Sequence, residues 1–142
     1  MFHKKRGEGG ASLVEFALTA PFLILLLLGI IEFGYLFGEF NDVRHGAREG
    51  ARAAAVNAGD NAFLHKTTCD SMDLTVDVSV RFTDGVSGAL GETAEVRVVA
   101  TPRSLSGLGM IEMFLPATLE SSVEFRLEQD SDWSSDPALV SC

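Results

Sequence analysis

The chain has 142 residues, a hydrophobic content of 46%, a formal net charge of −9 and two cysteines. That length holds one small domain and an anchor, and the acidic balance excludes a general nucleic-acid binder, which needs a basic footprint to displace counterions. The mean hydropathy of +0.21 averages two unlike parts, because the bulky apolar residues crowd between Phe16 and Phe40.

Residues 2–10 read FHKKRGEGG, short, basic and glycine-ended, and an apolar run follows. A secretory signal, a plain transmembrane helix and a prepilin-type leader compete for this pattern. A secretory signal needs a small-residue cleavage site behind its apolar core, and the run passes instead into FGYLFGEFNDVRHGAREGARAAAV. From Phe16 to Ile31 there are eleven Leu, Ile or Phe residues. At about −0.3 to −0.6 kcal/mol each they favour insertion by on the order of −5 kcal/mol. Glu15 and Glu32 flank this core rather than split it. It spans roughly 24 Å at helical rise, slightly short of a ~30 Å bilayer, so polar groups at both ends lie near the interface. The basic cluster His3–Arg6 puts the N-terminus in the cytoplasm and everything after about Phe40 outside it.

Glu15 lies five residues beyond Gly10 and precedes Phe16. A carboxylate at the edge of an apolar helix seeks a positive partner. Cleavage after Gly10 would create one, the α-amino group of Ala11 on a neighbouring subunit, and such a pair would set the axial register between helices. The plainer alternative is an interfacial glutamate facing water. Cleavage after Gly9 would place Glu15 at plus six.

The helix is predicted from about Leu13 to about Val56, roughly 66 Å long, with a kink or loosening at Pro21. Gly34 with Gly38, and Gly46 with Gly50, stand at GxxxG spacing, with Ala47, Ala51 and Ala55 on an adjoining stripe. Interior glycines cost helix stability unless a close approach offsets them, so these pairs mark a packing face, the plainer alternative being loose packing with no partner. Arg44, Arg48 and Arg52 form a basic stripe with Asp42 and Glu49 nearby. It is a solvated face, a contact for an acidic neighbour or a lipid-headgroup contact. Asn57, Gly59, Asp60 and Asn61 give a stop and a turn.

Beyond Ala62, period-two alternation predicts three strands. Leu74, Val76, Val78, Val80 and Phe82 face one way in the first, and Gly85, Gly88 and Gly91 mark the turn. Ala94, Val96, Val98 and Ala100 form the second, ended by Pro102. Leu119, Val123, Phe125 and Leu127 form the third, after an apolar loop or short helix SLSGLGMIEMFLP. The expected class is α+β: a three-stranded antiparallel sheet packed on the extracytoplasmic half of the helix. The expected division is residues 1–10 as leader, 11–57 as helix and 58–142 as domain. Cys69 and Cys142, in an exported domain, favour a disulfide over two free thiols, which would pin the acidic tail.

Gly10-ASLV-Glu15-Phe16 resembles the processing motif of Flp-type pilins, and the segment from Gly10 to about Val56, with Pro21 and REGAR, resembles the TadE family of tight-adherence (Tad) pilus pseudopilins. The later likeness is looser, ending in R-x-E at Arg126–Glu128. The resemblance implies processing at Gly10, Ala11, Glu15 and Phe16 by a prepilin peptidase. It further implies a role in assembling, priming or tipping a Tad/Flp (type IVc) pilus used in adherence. The implied partners are other minor pilins, the major Flp pilin, an inner-membrane assembly platform and membrane lipid. It implies no catalytic residues and no cofactor.

Other chemistry is weakly represented. His65 and Cys69 at i, i+4 lack a further ligand pair for zinc, and DSDWSSD from Asp130 lacks the turn Gly and terminal Glu of a calcium loop. P-loop and G-x-S-x-G motifs are missing. Trp133 reads as a packing anchor. A permanently anchored scaffold or sensor domain, and a type II secretion pseudopilin, stay open beside the pilus reading.

Overall fold

The computed structural model describes residues 8–57, 59–75, 77–83, 87–105, 107, 113–131 and 140–142. The basic cluster His3–Arg6, Val76, Gly85, Trp133 and most of the acidic tail lie outside them. Six elements follow one another: α1 (Glu8–Val56), α2 (Asn61–Asp70), β1 (Val78–Thr83), β2 (Thr93–Ala100), β3 (Leu119–Arg126) and β4 (Val140–Ser141).

α1 runs through Pro21 without a break. Its apolar first half is exposed almost throughout from Leu13 to Leu27, and one face of its second half is covered by the rest of the chain. That contrast is what a helix in two solvents requires, since lipid needs no protein cover over Leu, Ile and Phe. The helix ends where Asn57 donates its amide to the Ala53 carbonyl. The chain after β3 satisfies two of the last carbonyls: the Glu128 amide donates to Ala55, and the Gln129 side chain donates to Val56 at 2.5 Å.

The stop-and-turn expected at 57–61 is followed by a ten-residue helix that the strand-based reading did not anticipate. Asp60 caps it, its carboxylate accepting from the Phe63 amide at 3.0 Å. Leu64 and Thr68, one turn apart, are its buried residues. Exposed Lys66 and Asp70 pair at i, i+4 on its outer side.

The sheet order is β3-β2-β1-β4, with every pairing antiparallel. Val80 faces Val98, and Val96 faces Val123. The expected three strands are present, and β4 adds a two-residue fourth on the outer edge of β1. β1 starts at Val78 rather than Leu74, because Leu74 and Thr75 are drawn away to α1. Val78, Val80, Phe82, Ala94, Val96, Val98, Ala100 and Leu119 turn one face inward. α1 packs against β2 and β3, and α2 against α1 and β1. Arg97 and Glu120 pair at 2.6 Å across the outer face. Cys69 and Cys142 are joined, with Cα atoms 5.6 Å apart and a sequence separation of 73. In the chain-entropy model such a closure contributes about 4 kcal/mol. The bond fastens the C-terminus beside β1, where the Cys142 amide donates to the Val78 carbonyl.

α1 contributes small residues where the layers meet. Val43, Ala47, Ala51 and Ala54 are buried, with Ala54 rather than Ala55 completing the stripe because a turn is 3.6 residues. A Cβ at Gly50 would lie 2.5 Å from Thr68 Oγ1, and one at Gly46 would lie 2.5 Å from Met72 Sδ. Gly38 borders Leu74, whereas Gly34 faces open space. Thr68 is β-branched and its hydroxyl is bonded to the Leu64 carbonyl at 2.8 Å, so it cannot swing aside as Met72 can. Gly50→Ala is therefore expected to lower stability by about 1–3 kcal/mol despite Ala's higher helix propensity. Gly34→Ala is expected not to lower it, and denaturant unfolding of the detergent-solubilised protein compares the two.

Candidate functional site

Gly10, Ala11, Glu15 and Phe16 lie on the first turns of α1, and all four are exposed. No side chain approaches Gly10, and the Glu15 carboxylate has no partner among the described residues. Thr19 returns its hydroxyl to the Glu15 carbonyl at 3.0 Å, as a hydroxyl in an apolar helix commonly does. These turns are accessible on every side, as a peptidase or a neighbouring helix would need.

The arginine stripe lies at least ~44 Å further along the helix, 29 residues beyond Glu15. Its members are not equivalent. The Arg44 guanidinium stands 5.5 Å from the Phe40 ring centroid. Arg52 is bonded to Glu49 at 2.6 Å. That hydrogen bond holds the Glu49 carboxyl below its ordinary value and the Arg52 guanidinium above. Arg48 is exposed. The face is a solvated mixture of charges rather than a continuous basic band.

The structure brings together a constellation that the sequence reading passed over. Three carboxylates on α1, those of Glu32, Glu39 and Asp42, accept backbone amides from the domain. Glu32, 2% exposed, accepts from Leu105 at 2.9 Å. Glu39, fully buried, accepts from Arg103 at 3.3 Å. Asp42 accepts from the Leu74 amide at 2.9 Å, the Thr75 amide at 3.2 Å and the Thr75 hydroxyl at 3.0 Å. Amides donated to a carboxylate are among the stronger protein hydrogen bonds. They fix the α2–β1 and β2–β3 connections against the helix just above its apolar run. Burial pushes the Glu39 carboxyl above its ordinary value, a rise that the Arg103 amide and charge reduce and that Asp42 and Glu32 reinforce. The sequence signal was available: Glu32 and Glu39 are seven residues apart, hence on one face, within a stretch otherwise rich in Phe, Leu and Ile.

The remaining candidates are occupied structurally. Cys69 is in the disulfide, and His65 meets the Phe82 ring edge-on at 5.2 Å. Asp130, first residue of the acidic run, accepts the Leu90 amide at 2.8 Å. Arg126 donates to the Gly91 carbonyl.

Residues 10–52 match the family model of TadE-like proteins. Over that stretch the chain is similar to TadE-like proteins. The match bears out the resemblance read from Gly10 onward. It covers the exposed apolar turns, Glu32, Glu39, Asp42, Gly46 and Gly50, and stops before α2 and the sheet. No curated protein and no solved structure matches the chain. The long apolar helix of this TadE-like segment fits a single-pass membrane anchor.

Two outcomes follow from the carboxylates. Because burial raises the folded-state value of Glu39, folding takes up a proton there, and stability falls as pH rises from the ordinary carboxylate value through the raised one. Glu39→Gln keeps an oxygen for the Arg103 amide and removes that titration. It is expected to gain stability relative to wild type as pH rises from about 4 to about 8, read by unfolding at each pH. Asp42→Ala leaves the Leu74 and Thr75 donors without their acceptor. It is expected to cost about 1–3 kcal/mol, with faster amide exchange at Leu74 and Thr75.

Proposed function

We propose that the protein is a minor pilin or pseudopilin of a Tad/Flp (type IVc) pilus, cut between Gly10 and Ala11 by a prepilin peptidase. The observation that carries this reading is Glu15, at plus five from Gly10 and followed by Phe16, on exposed turns of a TadE-like helix. After cleavage the α-amino group of Ala11 is cationic, and Glu15 of one subunit pairs with it on the next. An ion pair in an apolar setting is unfavourable to leave half-made. It therefore sets register between helices that are otherwise apolar along their exposed faces.

The basic residues Lys4, Lys5 and Arg6 keep the leader cytoplasmic, and the disulfide-bonded domain is extracytoplasmic, where such bonds persist. The anchor lies in the inner membrane, from which the processed chain enters a filament, its base or its tip. Its partners are the inner-membrane assembly platform, other minor pilins and the major Flp pilin. Exposed Phe33 and Phe37, beyond the apolar run and away from the domain, offer a face for neighbouring helices. The arginine stripe supplies a second, polar contact.

Intact mass and N-terminal sequencing of the protein from its native membrane test this. A chain starting at Ala11 is expected, and Gly10→Val is expected to retain the leader. A chain still starting at Met1 or Phe2 where prepilin peptidase is active would overturn the pilus reading in favour of a permanently anchored domain.

A further inference from the structure

The two ends of the sheet differ in their distance from the apolar run of α1. The β3 exit lies beside the C-terminal end of α1, since Glu128 and Gln129 bond to Ala55 and Val56. The opposite end of the sheet, where Ala100 faces Leu119, lies toward the apolar run. From Ala100 the chain descends along α1: the Arg103 amide meets Glu39, and the Leu105 amide meets Glu32. A bilayer core takes roughly 20 helical residues, and a span of that length ending at Ile31 begins near Ser12. Glu32 is then the first residue outside, and the Leu105 backbone is bonded to it at that boundary.

Three of the described side chains on this connection are large, apolar and uncovered. Leu105 is 59% exposed, Met113 77% and Phe114 75%. Met113 and Phe114 fall between Leu105 and Leu119, so the connection that bears them joins the two strands at this same end of the sheet. Leaving Leu, Met and Phe in water is unfavourable, and exposed apolar side chains on a connection bonded to α1 where its apolar run ends are placed for a membrane contact.

We propose that Leu105, Met113 and Phe114 form a second membrane contact, inserting into the outer boundary of the bilayer beside the exit of α1. The occupant of this surface is lipid. Through the Leu105–Glu32 bond the surface adjoins the apolar run of α1, and it presents exposed Leu105, Met113 and Phe114 together with exposed Arg103, an apolar-plus-basic composition that suits a bilayer boundary. The contact fixes the domain's tilt and height on the membrane, with the Leu105–Glu32 bond as its hinge point. It rests on the reading of α1 as a bilayer-spanning anchor.

Full-length protein in phosphatidylcholine vesicles, with Cys69–Cys142 left oxidised, tests the contact. A polarity-sensitive fluorophore is placed singly at Phe114→Cys, Met113→Cys, Leu23→Cys within the span, or Thr93→Cys at the far end of the sheet. Lipids brominated at shallow or deep acyl positions serve as quenchers, and iodide reports water access. The expected result is blue-shifted emission and shallow-bromine quenching at positions 113 and 114, deep-bromine quenching at 23, and free iodide access at 93. Iodide access at 113 and 114 equal to that at 93, with 23 quenched, overturns the contact and leaves the anchor standing. Protection from iodide at 113 and 114 without bromine quenching also overturns it, assigning the surface to a protein neighbour. Lack of bromine quenching at 23 overturns the anchor, and the contact with it.

Discussion

The attachment of the domain to its helix turns on carboxylates that occur where α1 leaves its apolar run. Glu32, Glu39 and Asp42 lie within about a quarter turn of one another around the helix, and each accepts at least one main-chain amide from the domain. A carboxylate buried without donors would be prohibitive, so these positions demand cover, and the Arg103–Leu105 and Leu74–Thr75 segments supply it. The residue that ends the membrane-compatible stretch, Glu32, is also the first residue of the docking surface. The change from uncovered to protein-covered helix face thus begins at a single side chain.

Above the carboxylates the helix surface becomes small. Gly46, Ala47, Gly50, Ala51 and Ala54 let α2 and the strands approach closely, and Thr68 and Val96 occupy the space over Gly50 that a Cβ would fill. The core is modest, mostly Val and Ala with Leu64, Phe82 and Leu127 as its larger members. Long-range bonds tie its ends. The disulfide joins α2 to the C-terminus beside β1, and the segment after β3 closes the carbonyl end of α1. Each tether links segments distant in sequence, where constraining the unfolded chain contributes most.

Much of this was legible in the residues. Helical length, the apolar half and the three long strands follow from periodicity, because a 3.6-residue and a two-residue repeat survive in the sequence whatever packs against them. α2 was not legible that way. NAFLHKTTCD buries only Leu64 and Thr68, too few positions for a repeat, and its one local sign, Asp60 as cap, is equally a turn residue. The start of β1 was misread because Leu74 continues the alternation of the strand, yet Asp42 holds its amide elsewhere. The carboxylate partners were hidden for a different reason. Arg103 and Leu105 contribute main-chain amides from 64 and 73 residues away, and a backbone donor leaves no mark on residue type.

Helix and domain contribute different kinds of group to their contact. The helix contributes side chains to the contact: three carboxylates and a run of small residues. To the carboxylates the domain contributes chiefly N–H groups, which every residue except proline supplies. The constraint on sequence therefore falls unequally. Replacing Glu39 or Gly50 alters the docking surface directly, whereas the bonds from residues 103 and 105 come from main-chain amides that many residue types would supply. A helix built this way can keep one anchoring and docking pattern while carrying domains whose sequences differ widely. What the domain must preserve is the path of its β2–β3 connection down the helix to Glu32, and that path is a matter of backbone geometry rather than of any motif.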